Sequence, residues 1–432
     1  MSRGLKVVLF AGAGGTCTGI EAALGEPVDV AINHSAVALA VHKANHPGTR
    51  HLRGDVWSYA PLDVTGGEPV DFLWASPTCT FFSRAKGKPL DRALAMKVRS
   101  LAWVVNRWAR EAKPRIIMLE NVEAFQDWGP LLRDGTRCPD RRGATFRRWV
   151  SELKRAGYVV EWREMSACDY GAPTSRKRLF VVARRDGEPI RWPVPTHGPG
   201  LIPYRAAAEV IDWTLPVPSV FDRKKPLTSA TLRRIARGME KFVLAGDPYM
   251  VGPELAATLI QRGYGERQGQ DPRCLDIRKP LGTIVAGGIK HALVVAFIAK
   301  HFGGNGSPGQ SLRSPLGTVT CKDHHALVVA SGLGHRHTEV RQLLSAYGST
   351  KRQGGLFDVS LEIADIGMRW LTPRELAGAQ GFPADYVLDP IMKNGKPLGT
   401  TAQVMLVGNS VSPFNAEALV RANISAAESE AA

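Results

Sequence analysis

Short apolar runs alternate with helical patterns through the first 185 residues of the chain. Strands are predicted at KVVLF, VDVAIN, VDFLWAS, RIIMLENV and RLFVVARR (6–10, 28–33, 70–76, 115–122 and 178–185). Helices are predicted where apolar residues recur at helical spacing, at 19–25, 36–48, 94–114 and 145–157. A regular strand–helix alternation predicts an α/β fold with a doubly wound, mostly parallel, Rossmann-like sheet.

The segment from about residue 186 to 365 has a different character, because it is rich in Pro and Gly and lacks a clear period. It predicts a second, smaller domain that is mostly β or irregular. Two stretches, 276–296 and 311–330, repeat a Pro-Leu-Gly-Thr tetrad that begins at Pro280 and at Pro315. A weaker third copy is predicted at 222–231. Two or three copies are too few for a solenoid, and they are interpreted as loop-plus-strand units that serve either as recognition loops or as sheet corners.

The last part of the chain is predicted to return to the first domain. TPRELAGAQGFP (372–383) predicts a short helix and a turn, and 403–423 predicts a strand, a Gly-Asn turn and a helix. The predicted domains are therefore a catalytic domain, a small domain, a returning segment and a frayed tail, at 1–188, 189–399, 400–424 and 425–432.

The charge balance favours a polyanionic partner, since 56 Lys and Arg face 40 Asp and Glu and the net charge is +16. No stretch approaches the roughly 20 apolar residues of a membrane span, and the N-terminus does not resemble a signal peptide. The six cysteines form no CxxC pair, no metal spacing and no disulfide framework. These features predict a cytoplasmic protein without a metal.

A glycine-rich turn joins the first strand to the first helix in VVLFAGAGGTCTGIEAAL (7–24). Gly12 and Gly14 would let the backbone approach a ligand at a helix N-terminus. NAD, a nucleotide or S-adenosylmethionine would each fit, and so would a tight packing turn. Asn33 stands near the position where a ribose-binding acid is expected. Asp55 follows a third strand, where it could accept from an adenine amino group or simply cap a turn.

Four side chains with catalytic potential lie at the ends of predicted strands. Cys79 follows a central strand, at the edge where open parallel sheets bind ligands. Glu120 ends an apolar strand and is suited to donate a proton. Arg176 and Arg178 stand two apart at a strand start, so in an extended chain they share a face. The alternatives are a packing cysteine, a salt-bridged rim glutamate and a solvated basic edge.

Taken in order, these blocks resemble those of the DNA (cytosine-5) methyltransferases. The matching blocks are FAGAGG (10–15), GD (54–55), SPTCTFFS (76–83), ENV (120–122), PTSRKR (173–178), RELAGAQGFP (374–383) and GNSV (408–411). The match covers the first 185 residues or so and again about 370–423. In that family the variable region before the last blocks selects the target sequence, and 186–365 occupies its place.

The resemblance implies methyl transfer from S-adenosylmethionine to C5 of a cytosine flipped out of duplex DNA. Cys79 matches the nucleophile that attacks C6, Glu120 the residue at N3, and Arg178 the arginine at O2. Arg176 would support Arg178, and Asn121 would brace the loop rather than react. The implied cofactor contacts are Phe10, Gly12, Gly14, Asn33, Asp55, Pro77, Leu101, Asn409 and Ser410. A monomer without a metal or membrane partner is expected.

Three positions depart from the family pattern. Thr78 replaces the proline that precedes the cysteine, Asn33 the ribose-binding acid, and Thr174 a glutamine. None removes a reacting group, so an active enzyme is expected. Three other hypotheses stay open: the same chemistry on RNA, a degenerate methyltransferase that only binds DNA, and a Rossmann dehydrogenase. The last predicts an acid at position 33 and leaves Arg178 and the late GNSV block unexplained.

Overall fold

The computed structural model describes two compact units, each with its own sheet. The described residues are 4–82, 91–244, 249–251, 255–261, 270–288, 290–299, 336–348 and 362–425. The first unit comprises Met1–Val210, Lys279–Ile289 and Thr372–Ala432, and the second comprises Ile211–Arg278 and Lys290–Leu371. Among the described helices, none is long and apolar enough to cross a bilayer.

The first unit is built on a seven-stranded sheet in the order β3-β2-β1-β4-β5-β7-β6. Its strands are β1 (Leu5–Leu9), β2 (Val30–Asn33), β3 (Arg50–Arg53), β4 (Val70–Ala75), β5 (Ile116–Asn121), β6 (Val159–Ser166) and β7 (Lys177–Arg184). The first five strands are parallel, and β7 runs antiparallel to both β5 and β6. The carboxyl ends of β1 to β5 and the start of β7 therefore share one edge. The predicted doubly wound, mostly parallel sheet is confirmed.

Helices cover both faces of this sheet, and each face has its own apolar core. They are α1 (Gly15–Leu24), α2 (Ala36–Asn45), α3 (Pro61–Thr65), α4 (Arg92–Arg99), α5 (Trp103–Glu111) and α6 (Ala144–Arg155). One core contains Trp108, Phe125 and Trp149, and the other contains Ile20 and Trp74. Because β1, β2, β4, β5 and β7 are largely buried, they read as continuous apolar runs, which is why the sequence located them.

Several elements in the N-terminal part of the first unit differ from the sequence-based expectation. The single helix expected at 94–114 is two helices, because a 3₁₀ turn at Ser100–Ala102 interrupts it. The Ser100 hydroxyl donates to the Lys97 carbonyl at 2.7 Å, a local bond that competes with regular helix. α1 begins at Gly15 rather than at 19, since Gly14, with φ of 101°, starts the helix directly. β6 was not predicted, because as an exposed edge strand it carries mostly charged and polar residues.

The second unit contains a smaller, antiparallel sheet, which agrees with the predicted mostly β character of this region. Its elements are α7 (Ser229–Phe242), β8 (Tyr249–Val251), β9 (Leu255–Gln261), β10 (Cys274–Leu275), β11 (His291–Ala299), α8 (His337–Tyr347) and β12 (Glu362–Trp370). The strand order is β10-β9-β11-β12, and β8 also pairs with β9. The two helices were not predicted. Ile235 and Met239 of α7 pack with Ile260 and Ile366 of the sheet in one apolar core.

The repeated segments do not all form the same structure. In the first copy, 276–296, a loop leads into β11, as expected. The second copy, 311–330, lies outside the described residues, as does the tail from residue 426. The third copy proposed at 222–231 is not a loop-plus-strand unit, because Thr228 caps the start of α7 and a helix follows instead of a strand. The Thr228 hydroxyl accepts from the Thr231 backbone N–H, which is a typical helix start.

The C-terminal part of the first unit is helical: α9 (Pro373–Gln380), α10 (Thr400–Asn409) and α11 (Pro413–Val420). The short helix expected at 372–383 is confirmed by a capping box between Thr372 and Glu375. The strand expected from 403 is wrong. Residues Thr400–Asn409 form a helix, in which Val404, Leu406, Val407 and Gly408 are buried and Met405 is exposed.

The first unit also includes parts of the predicted small-domain range 189–399. Residues 189–210, 279–289 and 372–399 belong to it. Asn423 exchanges two hydrogen bonds with the Arg191 backbone, at 3.1 and 2.7 Å. Asn45 does the same with the Val387 backbone, at 2.9 and 2.7 Å. These hydrogen bonds join distant parts of the sequence within the first unit, although composition assigned 189–399 to the small domain.

Candidate active site

The turn that carries Cys79 follows β4 and is held on both sides of the cysteine. Asn121 Nδ2 donates to the Pro77 carbonyl at 2.9 Å, and Asn121 Oδ1 accepts from the Val122 N–H at 2.9 Å. After the cysteine, the Phe82 N–H donates to the Cys79 carbonyl at 2.9 Å. Asn121 therefore contacts the loop as a brace. Thr78 is exposed while Pro77 is buried, so the contact that fixes the turn does not need a proline at 78.

Glu120 and Arg178 form an ion pair beside this turn. In the antiparallel pairing of β5 with β7, Glu120 lies opposite Phe180, and Arg178 is two residues along the same face. Arg178 Nε lies 3.3 Å from Glu120 Oε1, and the two side chains are only 15% and 9% exposed. The sheet register thus brings together two residues that the sequence separates by 58 positions.

The Cys79 thiol is half-buried and responds to both of these charges. Burial raises the pKa of the thiol above its ordinary value, and the negative charge of Glu120 raises that pKa further. The positive charges of Arg178 and Arg176 lower the pKa and oppose part of this effect. The thiol is therefore mostly protonated at neutral pH. Neutralising Glu120 would bring the pKa down and favour the thiolate.

Arg176 precedes β7, is buried, and acts differently from Arg178. Its Nη1 donates to the Ile284 carbonyl at 3.2 Å and to the Gly408 carbonyl at 3.1 Å. The guanidinium therefore joins three segments that are far apart in sequence. A side chain at Gly408 would overlap the backbone of Val285, so the glycine of the GNSV block permits this close approach.

The first Pro-Leu-Gly-Thr tetrad is anchored in the first unit. The Leu281 N–H donates to the Pro173 carbonyl at 2.9 Å, and its carbonyl accepts from the Ser175 N–H at 2.9 Å. Leu281 is 1% exposed, and the neighbouring Thr174 is fully buried. This copy therefore serves as a structural contact with the PTSRKR block.

The glycine-rich turn after β1 curves through three left-handed residues. Phe10, Gly12 and Gly14 have φ of 59°, 57° and 101°. A Cβ at Gly14 would overlap the Tyr386 hydroxyl, whereas at Gly12 the nearest atom would be the Phe10 carbonyl oxygen, 3.8 Å away. The turn is thus closely packed behind Gly14 and open at Gly12. An open glycine backbone at the carboxyl edge of the sheet fits the close approach of a nucleoside cofactor.

The other predicted cofactor contacts fall in several places around the first unit. Asn33 is buried at the end of β2, and its Oδ1 accepts from the Ser35 N–H at 2.8 Å. Asp55 is exposed and caps the turn after β3, since its Oδ1 accepts from the Trp57 N–H at 3.0 Å. Leu101 is half-buried in the 3₁₀ turn, Asn409 is exposed, and Ser410 is buried.

A family model described as C-5 cytosine-specific DNA methylase matches residues 6–234, more than half of the chain. The chain belongs to this family. Type II methyltransferase M.AquIA of Picosynechococcus is 30% identical over 236 residues, covering 49% of this chain and 88% of that relative. M.SacI of Streptomyces achromogenes is 33% identical over 216 residues, covering 46% of this chain and about half, 52%, of that relative.

Solved structures of methyltransferases share the fold of this methylase-family chain. A Spodoptera frugiperda DNMT2 mutant aligns with a TM-score of 0.51 and 18% identity, over 96% of this chain and 98% of that one. Entamoeba histolytica EhMeth aligns with a TM-score of 0.52 and 15% identity, over 97% of each chain. At this identity the likeness concerns the fold alone.

Within the described part of this methylase-family chain, no group of three or more His, Cys, Asp or Glu could hold a metal ion. Sequence reasoning missed His46 and Tyr386, which contact the glycine-rich turn. Tyr386 lies three residues after the RELAGAQGFP block, and that proximity was the signal available for it.

Replacing Arg176 with methionine is expected to lower the free energy of unfolding by about 3 kcal/mol, because two buried carbonyls lose a charged donor. Arg155→Met is the control: Arg155 is 68% exposed and, among the described residues, pairs with Glu152, so a loss below about 1 kcal/mol is expected. Urea denaturation of both variants gives the comparison. Equal losses would show that the Ile284 and Gly408 contacts do not stabilise the fold.

Proposed function

We propose that the chain transfers a methyl group from S-adenosylmethionine to C5 of a cytosine within a specific duplex DNA sequence. One observation carries this proposal: the half-buried Cys79 thiol lies within the electrostatic influence of the Glu120–Arg178 ion pair. A nucleophile, an acid and a fixed cation are the three groups that addition to a pyrimidine ring requires. Family membership supports methyl transfer to cytosine.

In the first step, Cys79 Sγ attacks C6 as a thiolate and forms a C–S bond. The electron pair of the C5–C6 double bond moves into the ring, where Glu120 in its protonated form donates to N3. Arg178 holds the charge that develops at O2. Because the charge of Glu120 raises the pKa of Cys79, a proton on Glu120 and a thiolate on Cys79 favour each other.

The glycine-rich turn and the ends of β2 and β3 are proposed to hold the cofactor. S-adenosylmethionine, when bound, supplies the electrophilic methyl group. Phe10, Gly12 and Gly14 would contact it through the turn, with Asn33 and Asp55 as acceptors. Further proposed contacts are Pro77, Leu101, Asn409 and Ser410. Once C5 carries the methyl group, the C5 proton leaves to solvent, its electron pair restores the C5–C6 double bond, the Cys79 thiolate is expelled, and the N3 proton returns to Glu120.

The attack on C6 needs a face of the ring that stacking hides, so the cytosine has to leave the duplex, at a cost of a few kcal/mol. The net charge of +16 favours binding to the phosphate backbone. We assign selection of the target sequence to the variable region 186–365, which includes most of the second unit.

The test is to incubate the purified protein with S-adenosylmethionine carrying a deuterated methyl group and with duplex DNA of mixed sequence. Mass spectrometry of the hydrolysed DNA is expected to find labelled 5-methyldeoxycytidine, and mapping the modified positions is expected to give one sequence motif. DNA with 5-methylcytosine at every cytosine is the control and should take up no label. Label on another atom of the DNA, or no label on the DNA at all, would contradict the proposal.

A further inference from the structure

A buried chain of polar contacts runs from the surface of α1 to the backbone of the glycine-rich turn. The Tyr386 hydroxyl donates to the Ala13 carbonyl. His46 Nε2 lies 3.2 Å from the Tyr386 oxygen, and His46 Nδ1 lies 2.8 Å from Glu21 Oε2. Tyr386 and His46 are 4% and 3% exposed, so solvent does not compete with these contacts.

The hydrogen bond to the Ala13 carbonyl matters because of where Ala13 lies in the turn. Ala13 stands between Gly12 and Gly14, both in the left-handed region, and glycine backbone has more conformational freedom than any other. A hydrogen bond to the Ala13 carbonyl fixes the orientation of the peptide plane between Ala13 and Gly14. The Tyr386 hydroxyl therefore helps to set the conformation of the glycine-rich turn.

Tyr386 is itself held firmly, although it comes from the opposite end of the sequence. Its ring lies 4.6 Å from that of Phe382, centroid to centroid, and its carbonyl accepts from Arg374 Nη1 at 2.7 Å. The next residue, Val387, is paired with the Asn45 side chain of α2. A hydroxyl held in this way can fix the backbone of a glycine-rich turn, whose glycines could otherwise adopt many conformations.

We infer that Tyr386 and His46 are positioning residues that hold the glycine-rich turn in its ligand-binding shape, with Glu21 orienting His46. This inference rests on the proposed function, because the ligand of the turn is taken to be S-adenosylmethionine. The side of the turn behind Gly14 is filled by Tyr386 and His46. The ligand then approaches from the open side at Gly12.

Tyr386→Phe removes the donor and keeps the ring. Losing one hydrogen bond that shapes the turn is expected to weaken S-adenosylmethionine binding about fivefold to tenfold. The KM for S-adenosylmethionine should rise with little change in kcat. Glu21→Gln, at the partly exposed end of the chain of contacts, is a milder second variant, with an expected weakening of about twofold.

Tyr158→Phe provides a matched control in the same unit. The Tyr158 hydroxyl is also buried and donates to a backbone carbonyl, that of Pro114, at 2.6 Å. Both tyrosine variants lose a hydroxyl that donates to a buried backbone carbonyl, and Tyr386→Phe also loses the contact with His46. In urea denaturation Tyr386→Phe should therefore lose at least as much stability as Tyr158→Phe. Only Tyr386→Phe is expected to weaken cofactor binding.

The measurement is isothermal titration of S-adenosylmethionine into each folded protein, without DNA, together with DNA affinity by fluorescence anisotropy. A higher Kd for Tyr386→Phe and Glu21→Gln, with an unchanged Kd for Tyr158→Phe and unchanged DNA affinity, supports the inference. An unchanged Kd for Tyr386→Phe, or an equal rise in both tyrosine variants, overturns it. Absence of binding by the wild-type protein would instead overturn the proposed function.

Discussion

Replacing Cys79 with serine is expected to reduce methyl transfer by about 10⁴-fold or more, the size of effect seen when a nucleophile is removed. A serine hydroxyl is far less acidic than a thiol and gives no useful nucleophile at neutral pH. Cys79 is half-buried in a turn that other residues hold, so the fold and the DNA affinity should be preserved. Transfer of labelled methyl groups to duplex DNA measures the effect.

The Cys138→Ser variant is the control for this experiment, because Cys138 is also free and half-buried but has no assigned role. It should retain the wild-type rate within about a factor of two. A Cys79→Ser protein that keeps more than about a tenth of the wild-type rate would show that Cys79 is not the nucleophile. Loss of DNA binding in the same variant would point to a role in folding or binding instead.

Glu120→Gln is expected to slow methyl transfer and, at the same time, to make the Cys79 thiol more reactive. Methyl transfer should fall by about 10²- to 10³-fold, because the residue at N3 can no longer deliver a proton. The thiol of Cys79 should become reactive at lower pH. The negative charge of Glu120 raises the pKa of that thiol, so removing the charge lowers the pKa, although burial still keeps it raised.

The thiol effect can be measured without turnover. Both proteins are alkylated with iodoacetamide from about pH 7 to about pH 10, a range that spans ordinary thiol pKa values, and the Cys79 peptide is quantified by mass spectrometry. Alkylation of Cys138 in the same samples gives the reference, and circular dichroism confirms the fold. An unchanged or higher midpoint for Cys79 would contradict the assigned influence of Glu120 on the thiol.

The sequence predicted the first unit well, because its signals are local. Buried parallel strands read as continuous apolar runs, and Cys79 and Glu120 follow or end two of them. The resemblance added the roles of Cys79, Glu120 and Arg178 and the late GNSV block. The structure adds the sheet register that sets Arg178 beside Glu120, which no spacing in the sequence defines.

The sequence did not predict features that depend on contacts between distant segments. α10 was interpreted as a strand because Val404 and Val407 favour strands, and only burial of one helical face decides otherwise. The sequence placed Arg176 and Arg178 on one face, but it gave no sign that the Arg176 guanidinium binds the carbonyls of Ile284 and Gly408. The helix α7 was missed because its start was interpreted as a third repeat.

The most direct test of the central claim uses duplex DNA in which cytosine is replaced by 5-fluorocytosine, together with tritium-labelled S-adenosylmethionine. Fluorine at C5 cannot leave as a proton does, so a protein that attacks C6 through Cys79 becomes trapped after methyl transfer. The expected result is a labelled protein–DNA complex that resists denaturant, forms with the wild-type protein and is absent with Cys79→Ser. Label transferred to unmodified DNA without any trapped complex would contradict the covalent mechanism, and a complex that still forms with Cys79→Ser would contradict the nucleophile.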